Sequence, residues 1–230
     1  MTRTRLPAAS RRALLLGTAL AALAALPGVA HGQGFNGIPV TQGGGVTYNR
    51  ANPLGPGSEI VTVNTPQAVI FWQMPDAPPG QVTFLASGNT AVFQGAAGNP
   101  NFAVLNRIFP SAGQTVVIDG NIISRISAAN PTAGGTVAFF TPNGLIIGAN
   151  ATFDVGSLIL TTLDPAFTAA GQFISPAGTI NFLGNPNFPG STVTTLAGAQ
   201  ITANQPGSYV IFASPGITHG GAGRVKGAAA

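Results

Sequence analysis

The chain of 230 residues is 45% hydrophobic but only 6% charged, with 32 Gly, 19 Pro and no Cys. That apolar content excludes a disordered low-complexity chain, and the mixture of turn formers with short apolar runs points to an all-β protein held without disulfides. The formal charge of +4 belongs to the first residues: beyond Gly32, Arg50, Arg107, Arg125, Arg224 and Lys226 balance Glu59, Asp76, Asp119, Asp154 and Asp164, which excludes a clustered basic face for nucleic acid.

Residues 1–32 read as a secretory signal peptide. Arg3, Arg5, Arg11 and Arg12 precede an apolar run from Ala13 to Leu26, and small residues at Ala30 and Gly32 offer cleavage sites. The run is too short for a comfortable membrane span, and no later segment is long and apolar enough, so no stable membrane insertion is expected. "SRRALLL" also resembles a twin-arginine signal, but that route carries folded cargo, and the general secretory route is favoured.

Beyond a Gly-rich polar stretch from Gln33 to Asn49, short apolar runs alternate with breakers. Strands are predicted at Ile60–Val63, Ala68–Trp72, Val82–Leu85, Ala91–Phe93, Thr115–Ile118, Ile122–Ile126, Val137–Phe140, Leu145–Ile147, Thr152–Val155, Ser157–Thr161, Thr179–Phe182, Gln200–Ala203 and Ser208–Ala213. Helical periodicity is absent outside the leader. Thr90, Thr115, Thr136 and Thr179 head similar phrases at intervals of 25, 21 and 43 residues. A loose period of roughly 20–25 residues predicts stacked β units, best met by a right-handed parallel β-helix, a single-stranded solenoid with small β elements outside it; a β-sandwich is the competing arrangement. In "ATFDVGSLILTT" the alternation puts Phe153, Val155, Leu158 and Leu160 inside and Thr152, Asp154, Ile159 and Thr161 outside. Gly148 and Gly156 mark bends where a Cβ would crowd the chain or a positive φ is needed.

"NFAVLNRIFPSAGQTVVIDGNIIS", from Asn101, followed by "GGTVAFFTPNGLIIGANATFDVGSLILTT", resembles the secretion domain of filamentous haemagglutinin-like exoproteins, the amino-terminal domain of two-partner secretion substrates. The matching phrases are Phe102 to Ile108, with Asn106 and Arg107, then Gly120 to Ile122, then Val137 to Leu163, with Gly148 and Gly156. Thr141 stands where the family's turn has its first Asn, and Ser157 where it has the second of two glycines. The resemblance implies a Gram-negative export domain over residues 33–230, cut short at its C-terminal end. It implies capture in the periplasm by the docking domains of an outer-membrane two-partner transporter, and folding as a β-helix that is secreted or held at the cell surface. Such a domain heads a longer adhesin, with host or cell-surface ligands as further partners. The turn Thr141, Pro142, Asn143, Gly144 is then either a structural bend or part of the signal the transporter reads.

Enzyme chemistry is not expected, nor a metal or cofactor. Asp119, Asp154 and Asp164 form no tight pair of the kind glycoside hydrolysis needs. His219 stands alone in a Gly-rich loop, Trp72 reads as core or cap, and Arg107 and Arg125 read as surface or carbonyl contacts. A stand-alone surface adhesin or carbohydrate-binding β-helix is the alternative function, and an enzyme on the same scaffold ranks third.

Overall fold

The computed structural model describes residues 33–41, 45–76, 78–184 and 186–229; the leader read over residues 1–32 lies outside them. Among the described residues there is no helix, and the strands are mostly parallel and gathered in several sheets.

Two short strands come first, β1 (Ile38–Thr41) and β2 (Val46–Asn49). They fall in the Gly-rich stretch that carries no predicted strand. The chain then repeats one itinerary. A first pass runs through β3 (Ser58–Val63), β4 (Gln67–Gln73) and β5 (Gly80–Leu85), a second through β6 (Thr90–Gly95), β7 (Ala103–Phe109) and β8 (Gln114–Ile118). A third uses β9 (Asn121–Arg125), β10 (Thr136–Phe140) and β11 (Leu145–Ile147). The fourth starts with β12 (Thr152–Asp154) and β13 (Ser157–Thr161), leaves the sheets through β14 (Asp164–Pro165) and β15 (Phe182–Leu183), and returns in β16 (Thr192–Thr195). β17 (Gln200–Ala203), β18 (Tyr209–Ala213) and β19 (Gly216–His219) form the fifth, and β20 (Ala222–Val225) and β21 (Ala228–Ala229) begin another.

Each strand of a pass joins a different sheet. Sheet I has the order β2-β3-β6-β9-β12-β17-β20, sheet II β1-β4-β7-β10-β13-β18-β21, and sheet III β5-β8-β11-β16-β19. Pairing between passes is parallel and in register apart from a shift between Thr83 and Leu85 where β5 meets β8, whereas β1 on β4 and β2 on β3 are antiparallel. Equivalent positions therefore stack in columns. Ala68, Val104, Val137, Leu158 and Val210 form one such column on sheet II, and Val82, Val116, Leu145 and Val193 another on sheet III, all buried. These β-branched and Leu side chains fit a pleated, packed face, and each contributes about 1.5–3 kcal/mol of burial before entropy.

Two sequence expectations need correction. Thr90, Thr115 and Thr136 lie in sheets I, III and II, so their spacing counts steps from sheet to sheet rather than whole passes. The true early period is longer: Thr90, Asn121 and Thr152 are register partners 31 residues apart. On sheet II the step from the third pass to the fourth is already 21 residues, between Thr136 and Ser157, and late on sheet III it is 24, between Thr195 and His219. The predicted strand Thr179–Phe182 is not one; only Phe182 and Leu183 pair, and they do so antiparallel with Pro165 and Asp164. Ser175 and Gly178 bend the chain there instead.

Residues 164–183, here the strap, lie over the outer side of sheet II. Phe173 is buried with Ala103, Leu105, Ala138, Phe140 and Ile159 in a second apolar cluster. The reading of "ATFDVGSLILTT" follows the observed faces, with Phe153, Val155, Leu158 and Leu160 inside. The outward Ile159 and Thr161 are nevertheless fully covered.

Candidate functional site

The motif residues begin on β7. Asn106 occupies an inward position between Ile70, Phe139 and their neighbours, a column otherwise apolar. A buried amide in such a place needs partners, and it has them. The Trp72 indole N–H donates to Asn106 Oδ1 at 3.0 Å, and Asn106 Nδ2 donates to the Ala138 carbonyl at 3.1 Å. Asn106 thus ties three successive strands of sheet II through one side chain.

Arg107 points the other way. Its guanidinium lies 5.1 to 5.6 Å from the ring centroids of Phe71, Phe109, Phe140 and Phe167. Phe71 and Phe140 are its register partners on β4 and β10, so the stacking follows from the strand register. Arg107 Nη2 also donates to Asp164 Oδ2 at 2.6 Å. The reading of Arg107 as a surface or carbonyl contact is corrected: it is a half-buried cation boxed by aromatic faces and paired with a carboxylate. Arg125 pairs with Asp154 at 3.0 Å as well as meeting carbonyl oxygens.

The Thr141–Gly144 turn follows β10 directly and makes the corner from sheet II to sheet III. Thr141 N–H donates to the Thr161 carbonyl at 3.1 Å, and the Gly144 carbonyl accepts from Val116 N–H at 3.0 Å. Asn143 Nδ2 donates to the Ser111 carbonyl, at the same corner one pass earlier, at 3.2 Å. Gly144 has φ +127°, a conformation side chains resist. Thr141 is fully buried, and its hydroxyl has no hydrogen-bond partner among the described residues. Pro142 and Asn143 are half-buried. The part of this turn that meets solvent is therefore Pro142 and Asn143.

Gly148 and Gly156 do not join that patch. A Cβ on Gly148 would collide with the Asp119 carboxylate, which caps Asn150 through its backbone N–H at 2.9 Å and its side-chain amide at 3.0 Å. A Cβ on Gly156 would collide with the Gly135 carbonyl, and Gly156 N–H donates to Ser124 Oγ at 2.9 Å. Neither glycine has a positive φ, so close approach rather than conformation is the reason for both. Together the turn, Gly148 and Gly156 mark three successive corners: sheet II to III, III to I, and I to II. Asn106 and Arg107 sit beside the first of them.

The carboxylates serve structure. Asp119 caps a corner, Asp154 pairs on sheet I and Asp164 pairs on the strap. His219 meets Thr195 Oγ1 through Nδ1 at 2.6 Å. Among the described residues no group of three or more His, Asp or Glu side chains converges to hold a metal ion.

One cluster carries no signal that the sequence reading used. Glu59 is wholly buried, accepts from Phe35 N–H at 3.1 Å and Arg50 Nε at 3.2 Å, and leaves Oε1 without a partner among the described residues. Burial raises its carboxyl above the ordinary range, against the pull of the Phe35 N–H and Arg50. Arg50 donates also to the Phe35 carbonyl at 2.7 Å and lies over Trp72. The only clue was a Glu inside "SEIVTV", a run otherwise fit for a buried strand.

No protein-family model matches the chain, and no curated protein matches it.

Proposed function

We propose that the repeated passes form a right-handed parallel β-helix and that residues 33–230 act as the secretion domain of a two-partner system. In this reading an outer-membrane transporter captures the chain in the periplasm, passes it outward, and the domain finishes folding at or beyond the cell surface.

The observation that carries the reading is the coincidence of motif and geometry. The phrases that resemble the secretion-domain family fall on one stretch of the chain, and their special residues occupy three consecutive corners and the one polar position of a core column. The in-register parallel columns support a helical stack, and the right-handed preference of parallel crossovers sets its expected hand. Columns that grow one pass at a time let an emerging chain fold by adding each pass to the last. The closed end, with β1 and β2 antiparallel on the first pass, would be made first by a chain delivered amino end first.

Within the site, Pro142 and Asn143 are the residues a transporter can touch on a completed corner, and Asn106 and Arg107 organise the strands behind them.

The test is export. The chain with its leader is produced in a Gram-negative host alone and with each two-partner transporter of its source genome, and protein in the medium is measured. Release that depends on one transporter is expected. Periplasmic accumulation with every transporter, or equal release without one, would sink the reading. Asn143→Ala separates recognition from folding: release falls while the thermal transition of the purified chain stays in place.

A further inference from the structure

Residues 33–36, Gln-Gly-Phe-Asn, precede β1 and are held mainly by side chains of later elements rather than by a ladder. The Gln33 and Gly34 carbonyls accept from Asn89 Nδ2 at 3.2 and 3.1 Å. The backbone of Phe35 is gripped on both sides: its N–H donates to Glu59 Oε2 at 3.1 Å, and its carbonyl accepts from Arg50 Nη2 at 2.7 Å. Pairing with a strand is confined to β5, through the Phe35–Leu85 bridge and through Asn36, which donates to the Phe84 and Thr83 carbonyls at 2.7 and 3.2 Å. The Phe35 ring is fully buried, with ring centroids at 4.4 Å from Phe84 and 4.9 Å from Trp72.

Beneath this plug lies Glu59. It opens the inward column Glu59, Ala91, Ile122, Phe153 and Ile201, which is otherwise apolar and buried. Gly34 presses on it: a Cβ there would come within 2.6 Å of Glu59 Cβ. Both donors that reach the carboxyl, from Phe35 and Arg50, meet Oε2, and Oε1 is buried with none among the described residues. That division fits a carboxylic acid, with Oε2 as the carbonyl oxygen and the proton on Oε1. A carboxylate would leave a charged oxygen buried without a donor, which is the costlier case. The other titratable groups facing Glu59 are Arg50 and Tyr48, whose hydroxyl is also buried without a partner among the described residues. Residues 33–36 and the register partner Ala91 bring none. Burial pushes the carboxyl up, the direction this arrangement requires. On the other side of the plug a cleft of about 280 Å³, bordered by Gln33, Asn36, Met74 and Asp76, leaves room for it to move.

We propose that residues 33–36 form a proton-coupled plug, seated while Glu59 is protonated and lifted when Glu59 ionises, so that the aromatic end of the core opens locally without unfolding the passes behind it. With the plug out, Glu59 meets water and its carboxylate is no longer penalised. Seating therefore takes up a proton. The part of its stability linked to that proton is fully present at pH below the exposed carboxyl's ordinary range, and is lost as the pH rises through the covered carboxyl's higher value. What opens is the pocket among Trp72, Phe84 and Phe93 that the Phe35 ring fills. Nothing in this device depends on export.

Hydrogen exchange of the purified chain from about pH 4 to about pH 8, with the intrinsic rate divided out, reads the opening. The Phe35 and Asn36 amides should open about tenfold more for each pH unit between the exposed and covered titration points of Glu59. The Val116 and Gly148 amides, bonded to the Gly144 and Ile118 carbonyls, should not follow. Acrylamide quenching of Trp72, the single Trp of the chain, should rise in step with the first pair. Glu59→Gln keeps the shape of the acid and cannot ionise, so both readouts should lose their pH dependence. Gly34→Ala should leave the Phe35 and Asn36 amides open already at about pH 4. Opening of those amides that does not vary with pH in the parent, a pH dependence that survives in Glu59→Gln, or Val116 and Gly148 opening together with Phe35 each overturns the proposal. So does a Gly34→Ala chain as protected as the parent. If Gly34→Ala does not fold, the comparison of parent with Glu59→Gln decides alone.

Discussion

The first three passes and the last two obey one pairing rule but are filled differently. In the early passes Phe35, Trp72, Phe84, Phe93 and Phe139 meet ring against ring, from Phe35 and Phe84 stacked at 4.4 Å to Phe84 edge-on to Phe139 at 6.4 Å, and Phe139 reaches Phe153 at the start of the fourth pass. In the late passes Val193, Ile201, Ala203 and Val210 fill the interior, with Phe212 packed against it, and Thr162, Ser191 and Ser214 exchange hydroxyl hydrogen bonds nearby. Gly223 stands in register with Ile201, so that column has no side chain at this step. One pairing rule is therefore filled by different side chains in the two regions. The early passes have a dense aromatic interior and an antiparallel cap, and the late passes a leaner interior.

Phe139→Ala is the most direct way to break that comparison. It removes the ring that links Phe84, Phe93 and Phe153, and a Phe-to-Ala change in a packed core costs about 3–5 kcal/mol. Val193→Ala, in the late columns, should cost about 2 kcal/mol or less. Urea unfolding of the two variants beside the parent measures both. Equal losses would mean that the late passes are as tightly built as the early ones, and the gradient would be gone.

The next effect separates the two faces of one strand. Asn106→Leu fits the volume of its core column but leaves the Trp72 indole N–H with no acceptor, at a cost of about 1–3 kcal/mol. Trp72 is the single Trp of the chain, so its fluorescence reports this position alone. A shift in emission with a lowered unfolding midpoint is expected. An unchanged spectrum and midpoint would show that the amide does no more than an apolar side chain there.

Much of the fold was legible because its strands are short apolar runs bounded by breakers. Leu145–Ile147, Ser157–Thr161 and Gln200–Ala203 match their predicted bounds, and most others shift by one or two residues. β7 was missed as a strand although Val104, Leu105, Asn106 and Ile108 are all fully buried. Asn and Arg in its centre disfavour a strand by propensity, and only the partners Trp72, Ala138, Asp164 and the Phe rings make them fit. β1 and β2 hide in Gly-rich sequence because what orders them is the end of the stack beneath, not their own pattern. The strap was illegible for the same reason. Its order comes from Gln67 and Arg107, far away in sequence, and nothing in "AFTAAGQFISPAG" announces that Phe173 will be buried. The candidate site was half legible: the motif residues could be picked out, but not that they divide among three corners, nor that Thr141 is closed off from solvent.

The smallest effect concerns the cap that makes the early end different from the late one. Burial holds the Glu59 carboxyl above its ordinary range even though the Phe35 N–H and Arg50 favour its charged form. A group whose pKa is higher in the fold than in the unfolded chain adds stability at pH below its unfolded value, near 4.3 for Glu, and that addition is lost as the pH rises through the folded value. The contribution of Glu59 to the cap is thus largest in acid and falls toward neutral pH, while β19 to β21 contain no carboxylate to respond. Glu59→Gln keeps the shape and removes the titration. Its stability relative to the parent should rise from acid to neutral pH, read as the difference in urea midpoint at several pH values. A difference that does not vary with pH would mean that Arg50 compensates the buried charge fully, and the contrast between the two ends would then rest on apolar packing alone.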